Sequence, residues 1–124
     1  MFEPYLHLWN LIADGEPVLT PAAQLLPVLR HGQPAMLKLS SNPDQQRGAT
    51  LIEWWGGEGA ARIYARDDTA LLMERATGTR SLADMARTGA DDEACRILCA
   101  TAAMLHRKKP APPPDLVSLS VWFQ

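Results

Sequence analysis

The sequence predicts an α+β fold: an antiparallel sheet of about five strands, with one helix packed on it and further helices toward the C-terminus. Three observations support this prediction. Short apolar segments bounded by turn residues lie on both sides of residues 43–55, these residues themselves have helical periodicity, and a second helical pattern fills residues 91–105. The 124 residues, 47% of them apolar, suffice for one domain with a buried core.

The predicted strands are separated by residues that favour turns. Residues 17–30 are extended, and the prolines within them favour a strand at the edge of a sheet. His31-Gly32-Gln33 is typical of a hairpin turn and leads into a strand over residues 35–39. Two further strands, over residues 60–65 and 69–74, are predicted on either side of a tight Arg-Asp-Asp turn.

Residues 43–55 are predicted to form the helix that packs on the sheet. Asn42 is a favourable N-cap, Pro43 suits the first helical position, and Gly56-Gly57 ends the helix. The expected buried stripe consists of Gly48, Leu51, Ile52 and Trp55. The helix should therefore lie with this stripe against the sheet.

The C-terminal third is predicted to be helical up to a proline-rich spacer. Ser81 is expected to cap a short helix over residues 82–88, and Asp91 to cap a longer one. The buried face of the longer helix is expected to comprise Ala94, Ile97, Leu98, Thr101, Ala102 and Leu105. Residues 110–114 form a stiff spacer, and the apolar side chains after it are Leu116, Leu119, Trp122 and Phe123.

Composition and charge exclude several function classes. A net charge of −2 argues against binding to nucleic acid, which requires a basic surface. No stretch is apolar enough for a membrane helix, and no signal segment is visible at the N-terminus, so we expect no membrane association and a cytoplasmic location. Cys95 and Cys99 are too few for a disulfide framework and lack neighbouring metal ligands, so both are expected to be small buried residues.

Lys38 is the residue whose position in this layout suggests chemistry. A lysine on the third strand, followed by a helix and two more strands, is the layout of the ATP-binding small lobe of kinases. ATP phosphates need a fixed cation, and a strand holds one more rigidly than a loop does. The alternative is an ordinary strand lysine, whose stem lies along apolar surface while its ammonium group stays in water.

Several stretches of sequence carry a resemblance to a known family. They are Pro34-Ala-Met-Leu-Lys-Leu39, Trp55-Gly-Gly-Glu-Gly-Ala-Ala-Arg62, Ala70-Leu-Leu-Met-Glu-Arg-Ala-Thr-Gly78, Leu105-His106 and the segment from Pro112 to Phe123. From near Pro4 to its end, the chain resembles the N-terminal lobe of the aminoglycoside/hydroxyurea antibiotic resistance kinases, the streptomycin branch of the aminoglycoside phosphotransferases. The resemblance implies a protein-kinase-like small lobe, with ATP as cofactor and transfer of phosphate to an alcohol group of an antibiotic such as streptomycin.

The resemblance also implies how the nucleotide is held. Lys38 would bind the α- and β-phosphates of ATP. Met73 would lie at the back of the adenine pocket. The Glu74 carbonyl and the Ala76 amide, in the hinge between the two lobes, would hydrogen-bond the adenine.

Two positions depart from the family pattern. The helix carboxylate that pairs with the lysine falls at Gln45, whose amide can hydrogen-bond Lys38 but cannot neutralise it. Asp44, one position earlier, is the alternative partner. The turn Pro21-Ala22-Ala23-Gln24 lacks the small hydroxyl residues that relatives place near the phosphates, so phosphate contacts there are expected from backbone amides.

The resemblance divides the chain into a small lobe with its hinge at residues 1–79, a helical appendage at 80–109, and a proline-rich spacer with the start of a large lobe at 110–124. The family's His-Gly-Asp…Asn catalytic loop and its later metal-binding aspartate do not occur in the sequence. No catalytic residue or metal ligand is therefore assigned, and magnesium is expected only with a large lobe.

We accordingly expect a truncated form that is inactive by itself. The alternatives are a non-catalytic module that binds ligand or self-associates, for example as a homodimer, and one half of a split kinase that pairs with a separate large lobe.

Overall fold

The structure is a computed structural model that describes residues 1–78, 80–107 and 109. An antiparallel sheet forms its centre. The strands are β1 (Leu11–Ala13), β2 (Val18–Leu19), β3 (Gln24–Arg30), β4 (Gln33–Leu39), β5 (Ile63–Arg66) and β6 (Ala70–Glu74), and the helices are α1 (Glu3–Leu8), α2 (Pro43–Trp55), α3 (Leu82–Arg87) and α4 (Asp91–Leu105). The spatial order is β1-β3-β4-β6-β5, and β2 pairs with β3. The predicted α+β architecture is confirmed, with six strands in the described part of the chain.

The register of the central strands divides their side chains between two faces. Directly opposed residues of β3, β4 and β6 form two neighbouring rows, Leu25–Lys38–Leu71 and Pro27–Met36–Met73. Side chains alternate along a strand, and directly opposed residues share a face, so both rows lie on the same side of the sheet. We call this side the Lys38 face.

The other side of the sheet carries the hydrophobic core. The buried residues of this cluster are Phe2, Leu11, Leu26, Val28, Ala35, Leu37 and Leu72. Tyr5, Leu6 and Trp9, which come from α1 and its C-cap, pack against them. The N-terminal helix therefore closes this side of the sheet and supplies much of the apolar burial that stabilises it.

The sequence pattern predicts no helix in residues 1–16, yet α1 occupies Glu3–Leu8. Six residues are too few for helical periodicity to stand out. The local signals are Pro4 in the first turn and the pair Tyr5 and Trp9, whose ring centroids lie 5.4 Å apart.

A tight turn joins β3 to β4 where the sequence predicts one. His31 and Gly32 both have positive φ, 50° and 77°, as a type I′ hairpin requires. Gln33, expected in the turn, is instead the first residue of β4. The two-residue turn fixes the register of β3 against β4 and hence the face on which Lys38 lies.

α2 begins and ends where the sequence predicts. Asn42 Oδ1 accepts a hydrogen bond from the Asp44 amide at 2.8 Å, and Gly56 ends the helix in the left-handed conformation with φ 64°. The expected stripe is only half-buried, and Ala49 is the buried residue of this helix.

Polar contacts attach α2 at both ends. Gln46 Nε2 donates to the Asp68 carbonyl at 2.9 Å, and Arg66 Nη2 donates to the Gln46 carbonyl at 3.1 Å. At the other end, Trp55 Nε1 donates to the Leu105 carbonyl at 2.9 Å. The first turns of α2 are thus fixed to the β5–β6 turn, and its last turn is fixed to α4.

The cap of α3 is confirmed, whereas the predicted cap of α4 is wrong. Ser81 Oγ accepts a hydrogen bond from the Asp84 amide at 3.2 Å. Ala90, rather than Asp91, is the N-cap of α4, and Asp91 is the first helical residue. The Ala90 amide bonds back to the Met85 carbonyl at 2.7 Å, so the chain enters α4 directly from the end of α3. The acidic residues of the first turn remain favourable beside the positive end of the helix dipole.

The outer side of α4 is apolar but exposed. Cys95 and Cys99 are both exposed, which corrects the expectation that they are buried. Leu98, at 56% exposure, and Ala102 also lie outside the covered side of the helix. These residues are exposed because the rest of the described chain packs against α4 on one side only, the side of Ala94, Met104 and Leu105.

Gly59 lies at the covered side of α4, near its C-terminal end. Its φ is 81°, and a Cβ atom there would lie 3.1 Å from side-chain atoms of both Met104 and Leu105. A glycine is required by this close approach as well as by the backbone conformation. The corner between α2 and β5 is therefore packed directly against α4.

The proline-rich spacer at 110–114 and the apolar residues that follow it lie outside the described residues. These are Leu116, Leu119, Trp122 and Phe123. Within the ranges that are described, no helix has the length and apolar character needed to cross a membrane.

We expect Leu37→Ala to lower the free energy of unfolding by about 2–5 kcal/mol, because Leu37 is fully buried and its truncation leaves a cavity. Leu98→Ala is the matched control, since the same truncation at this exposed site should change stability by about 0.5 kcal/mol or less. Urea denaturation of both variants measures the difference. Equal effects of the two substitutions would contradict the placement of the core.

Candidate functional site

The Lys38 face is an apolar surface that carries a single lysine among its paired strand residues. Its half-buried members are Leu25, Pro27, Leu29, Pro34, Met36, Lys38 and Met73, and Leu71 is buried. The core fills the opposite side of the sheet, and α2 lies over the end of this face that carries Lys38 and Leu71, so an external ligand has access to the part of the Lys38 face beside α2. An apolar surface with one fixed cation suits a ligand with a flat apolar part and an anionic part.

A small cavity lies beside Lys38, between the sheet and α2. Its volume is about 30 Å³, and its lining includes Lys38, Gln45, Ala49 and Leu71. This space holds a water molecule but not a nucleotide. A larger ligand of Lys38 would therefore lie on the open face next to the cavity.

The structure places Gln45 beside Lys38 and places Asp44 elsewhere. Gln45 lines the same cavity as Lys38. The Asp44 carboxylate instead accepts a hydrogen bond from Arg47 Nη1 at 2.9 Å, in an ion pair that is half exposed. Among the described residues, no carboxylate lies within ion-pair distance of Lys38. The ammonium group is thus free to pair with an anionic ligand.

The turn between β2 and β3 forms a recess at the end of the sheet near Lys38. Thr20 Oγ1 donates to the Ala23 carbonyl at 2.8 Å and accepts from the Ala23 amide at 3.0 Å. Ser40 Oγ donates to the Ala22 carbonyl at 2.7 Å and so ties the turn to the end of β4. The recess measures about 370 Å³, and hydroxyl groups of Thr20, Ser40, Ser41 and Thr69 line it.

These hydroxyl groups are a feature that the sequence pattern did not reveal. The turn itself, Pro21 to Gln24, has no hydroxyl residue. Ser40 and Ser41 follow β4, and Thr69 precedes β6, so only the folded sheet brings them to the turn. The hydroxyl hydrogens of Thr20 and Ser40 are donated to carbonyls of this turn, and Thr69 Oγ1 lies 3.1 Å from the Tyr5 hydroxyl oxygen, which leaves the Ser41 hydroxyl as the donor available to an external anion.

The segment that the family resemblance predicts to be a hinge leaves the sheet at the end of β6. Met73 is half-buried and lies opposite Met36. The Glu74 amide donates to the Arg62 carbonyl at 2.8 Å, and Glu74 Oε1 accepts from the Arg62 amide at 3.2 Å, which fixes the position of Glu74. Ala76 is exposed, and its amide forms no hydrogen bond with the other described residues. That amide is therefore available to an external acceptor.

Two arginines have structural roles that the sequence pattern did not assign. Arg66, expected in a turn, ends β5 and reaches α2 through the Gln46 carbonyl and through Glu53, whose Oε1 lies 3.6 Å from Arg66 Nη1. Arg75, directly after β6, pairs with Asp14 at 2.8 Å. Both contacts join residues that are distant in the chain, so no local pattern indicates them.

Comparison with known proteins gives two matches. The sequence profile of the aminoglycoside/hydroxyurea antibiotic resistance kinase family matches residues 8–124. Streptomycin 3''-kinase of Klebsiella pneumoniae is 53% identical to the chain over 116 residues, which cover 94% of this chain and 44% of that protein. The chain thus spans less than half the length of this relative. No solved structure matches the chain significantly.

The two matches confirm the resemblance carried by the sequence motifs. Because the family profile extends over nearly the whole sequence, the chain belongs to the aminoglycoside/hydroxyurea antibiotic resistance kinase family.

Proposed function

We propose that the chain is the ATP-binding small lobe of a kinase that transfers phosphate from ATP to an alcohol group of a streptomycin-like antibiotic. The observation that carries the proposal is Lys38, a lysine without a carboxylate partner among the described residues, on an apolar sheet face in a member of this family. The name of the Klebsiella pneumoniae relative supports streptomycin as the acceptor. A cytoplasmic location is part of the proposal.

In this proposal the nucleotide lies along the Lys38 face. Lys38 binds the α- and β-phosphates, and the Ser41 hydroxyl and backbone amides of the β2–β3 turn supply further donors to phosphate oxygens. The purine ring packs on Pro27 and Met36, with Met73 at its back. The Glu74 carbonyl and the Ala76 amide bond the edge of the adenine.

Gln45 is the proposed helix partner of Lys38. Its shared cavity with Lys38 supports this assignment, whereas the contact of Asp44 with Arg47 does not favour Asp44. An amide orients the ammonium group by a hydrogen bond and leaves its charge uncompensated. The full positive charge is then available to the phosphates.

Catalysis is proposed to need residues beyond those described here. Phosphoryl transfer uses a residue that orients the acceptor hydroxyl, and Mg²⁺ to neutralise phosphate charge. No described residues gather as a group of three or more His, Cys, Asp or Glu side chains that would hold a metal. We therefore assign no catalytic residue or magnesium ligand, and we propose that both come from a large lobe. The division into 1–79, 80–109 and 110–124 belongs to the same proposal.

We expect ATP to bind the 124-residue chain with a dissociation constant of about a millimolar, because one lobe supplies only part of the contacts. Lys38→Met should weaken binding about fivefold or more by removing the phosphate cation. Lys109→Met is the matched control, since Lys109 pairs with Glu58 at 3.1 Å, outside the proposed site. NMR titration with ATP measures all three constants. Equal binding by both variants would contradict the role of Lys38.

We expect no phosphate transfer from ATP to streptomycin by the 124 residues alone, because they contain no His-Gly-Asp…Asn motif. A radiolabelled phosphate-transfer assay provides the test. Turnover above background that disappears in Lys38→Met would overturn this part of the proposal.

A non-catalytic module that self-associates or pairs with a separate large lobe is the second candidate. The exposed apolar side of α4, with Leu98 at 56% exposure, favours a protein partner. We expect a homodimer in sedimentation velocity at tens of micromolar, a concentration range at which modest interfaces associate. Leu98→Ser should shift the distribution toward monomer. A monomer at all concentrations would exclude self-association.

A further inference from the structure

An ion pair crosses the Lys38 face next to the hinge. Arg75 Nη2 donates to Asp14 Oδ2 at 2.8 Å. Asp14 directly follows β1, and its amide donates to the Pro27 carbonyl at 2.8 Å, which extends the pairing with β3. Arg75 directly follows β6. Since β3 and β4 lie between β1 and β6, the pair reaches over both central strands.

The alternation of side chains places this contact on the Lys38 face. Arg75 comes two positions after Met73, and Asp14 comes two positions after Ile12, which lies opposite Leu29. Residues two apart along a strand share a face. The opposite side of the sheet is filled by the core, which leaves no path for the pair there.

Arg75 and Lys38 lie on opposite sides of the row formed by Pro27, Met36 and Met73. Along β6, Leu71 is opposite Lys38, Met73 is opposite Met36, and Arg75 comes next in the same direction. Asp14 is level with Pro27, since its amide bonds to the Pro27 carbonyl, so the ion pair runs obliquely from the row of Pro27 and Met36 to the position after Met73. Lys38 lies two positions from Met36 in the other direction. A nucleotide with its phosphates at Lys38 would have its base at the ion-pair end.

The guanidinium group of Arg75 is largely covered by the protein. The Arg75 side chain is only 16% exposed, and its Nε is buried without a hydrogen-bond partner among the described residues. Because Nε is covered by the protein, the Asp14 carboxylate is the partner that holds the guanidinium group in place. The low exposure of Arg75 also limits screening of the ion pair by solvent.

We propose that the Asp14–Arg75 ion pair is a clasp that closes the base end of the nucleotide site, with Arg75 as a positioning residue for the purine. This inference rests on the proposed function. The clasp holds β1 and the hinge at a fixed separation, so that the base meets the apolar patch and the Ala76 amide together. It acts on the base and makes no contact with the phosphates.

The test compares ATP with inorganic tripolyphosphate, which has the phosphates but no base. Arg75→Gln and Asp14→Asn should each weaken ATP binding about fivefold, while tripolyphosphate binding changes less than about twofold. The exchanged double variant, Asp14→Arg with Arg75→Asp, should recover part of the ATP affinity. Arg87→Gln, which breaks the exposed pair with Asp84, is the matched control and should bind both ligands as the parent chain does. NMR titrations of the 124-residue chain give the constants, and amide spectra show whether each variant is folded.

Each other outcome has a defined meaning. ATP affinity that is unchanged in both single variants overturns the clasp, as does an equal loss of ATP and tripolyphosphate binding in folded variants. If Arg75→Gln does not fold, Asp14→Asn and the exchanged variant decide by the same comparison. Binding that depends on Lys38 but not on Arg75 overturns the clasp alone. Binding of neither ligand by the parent chain overturns the proposed function and the clasp with it.

Discussion

The shared register of β3, β4 and β6 is the constraint on which the rest of the structure depends. It places Leu37 between Leu26 and Leu72 on the core side, and Lys38 between Leu25 and Leu71 on the other. A slip of one residue in β4 would exchange the two sides, burying the lysine and exposing the leucine. The hydrophobic energy of the core therefore also determines where the cation lies. The pairing of β4 with β3 and β6 thus determines both the burial of the core and the position of Lys38.

Local chemistry was sufficient to predict the elements whose boundaries are set by neighbouring residues. Asn42 and Gly56 delimit α2, and the turn at His31 and Gly32 joins β3 to β4, because caps and two-residue turns depend on the backbone within a few positions. Burial on α4 was not predictable in this way. Cys95 lies on an apolar helix face, and whether such a face is covered depends on which other elements reach it. The short α1 gains its stability from the core under it, so its sequence carries only weak helical signals.

The candidate site was predictable where a single strand or helix carries the residue. Lys38 stood out as a cation in an apolar strand, and the hinge indicated by the family motifs stays a prediction. The choice between Gln45 and Asp44 needed the helix orientation, since neighbouring helical residues point about 100° apart. The contact between Asp14 and Arg75 spans 61 positions in the chain, and only the order of strands brings the two residues together. The same holds for the hydroxyl groups of Ser40 and Thr69, which meet the β2–β3 turn in the folded sheet.

The hydrogen bond from Trp55 to the Leu105 carbonyl couples the position of α2 to that of α4. The helix is joined to α4 at Trp55, and Gln45 lies at the other end, beside Lys38. With a rise of about 1.5 Å per residue, these two positions are about 15 Å apart, so a rotation of about 4° at Trp55 moves Gln45 by about 1 Å. A displacement of that size is comparable to the tolerance of a hydrogen bond. A shift of α4 would therefore reach the surroundings of the lysine only by stretching the contacts that Gln46 makes with Asp68 and Arg66, so these contacts insulate Gln45 from motion of α4.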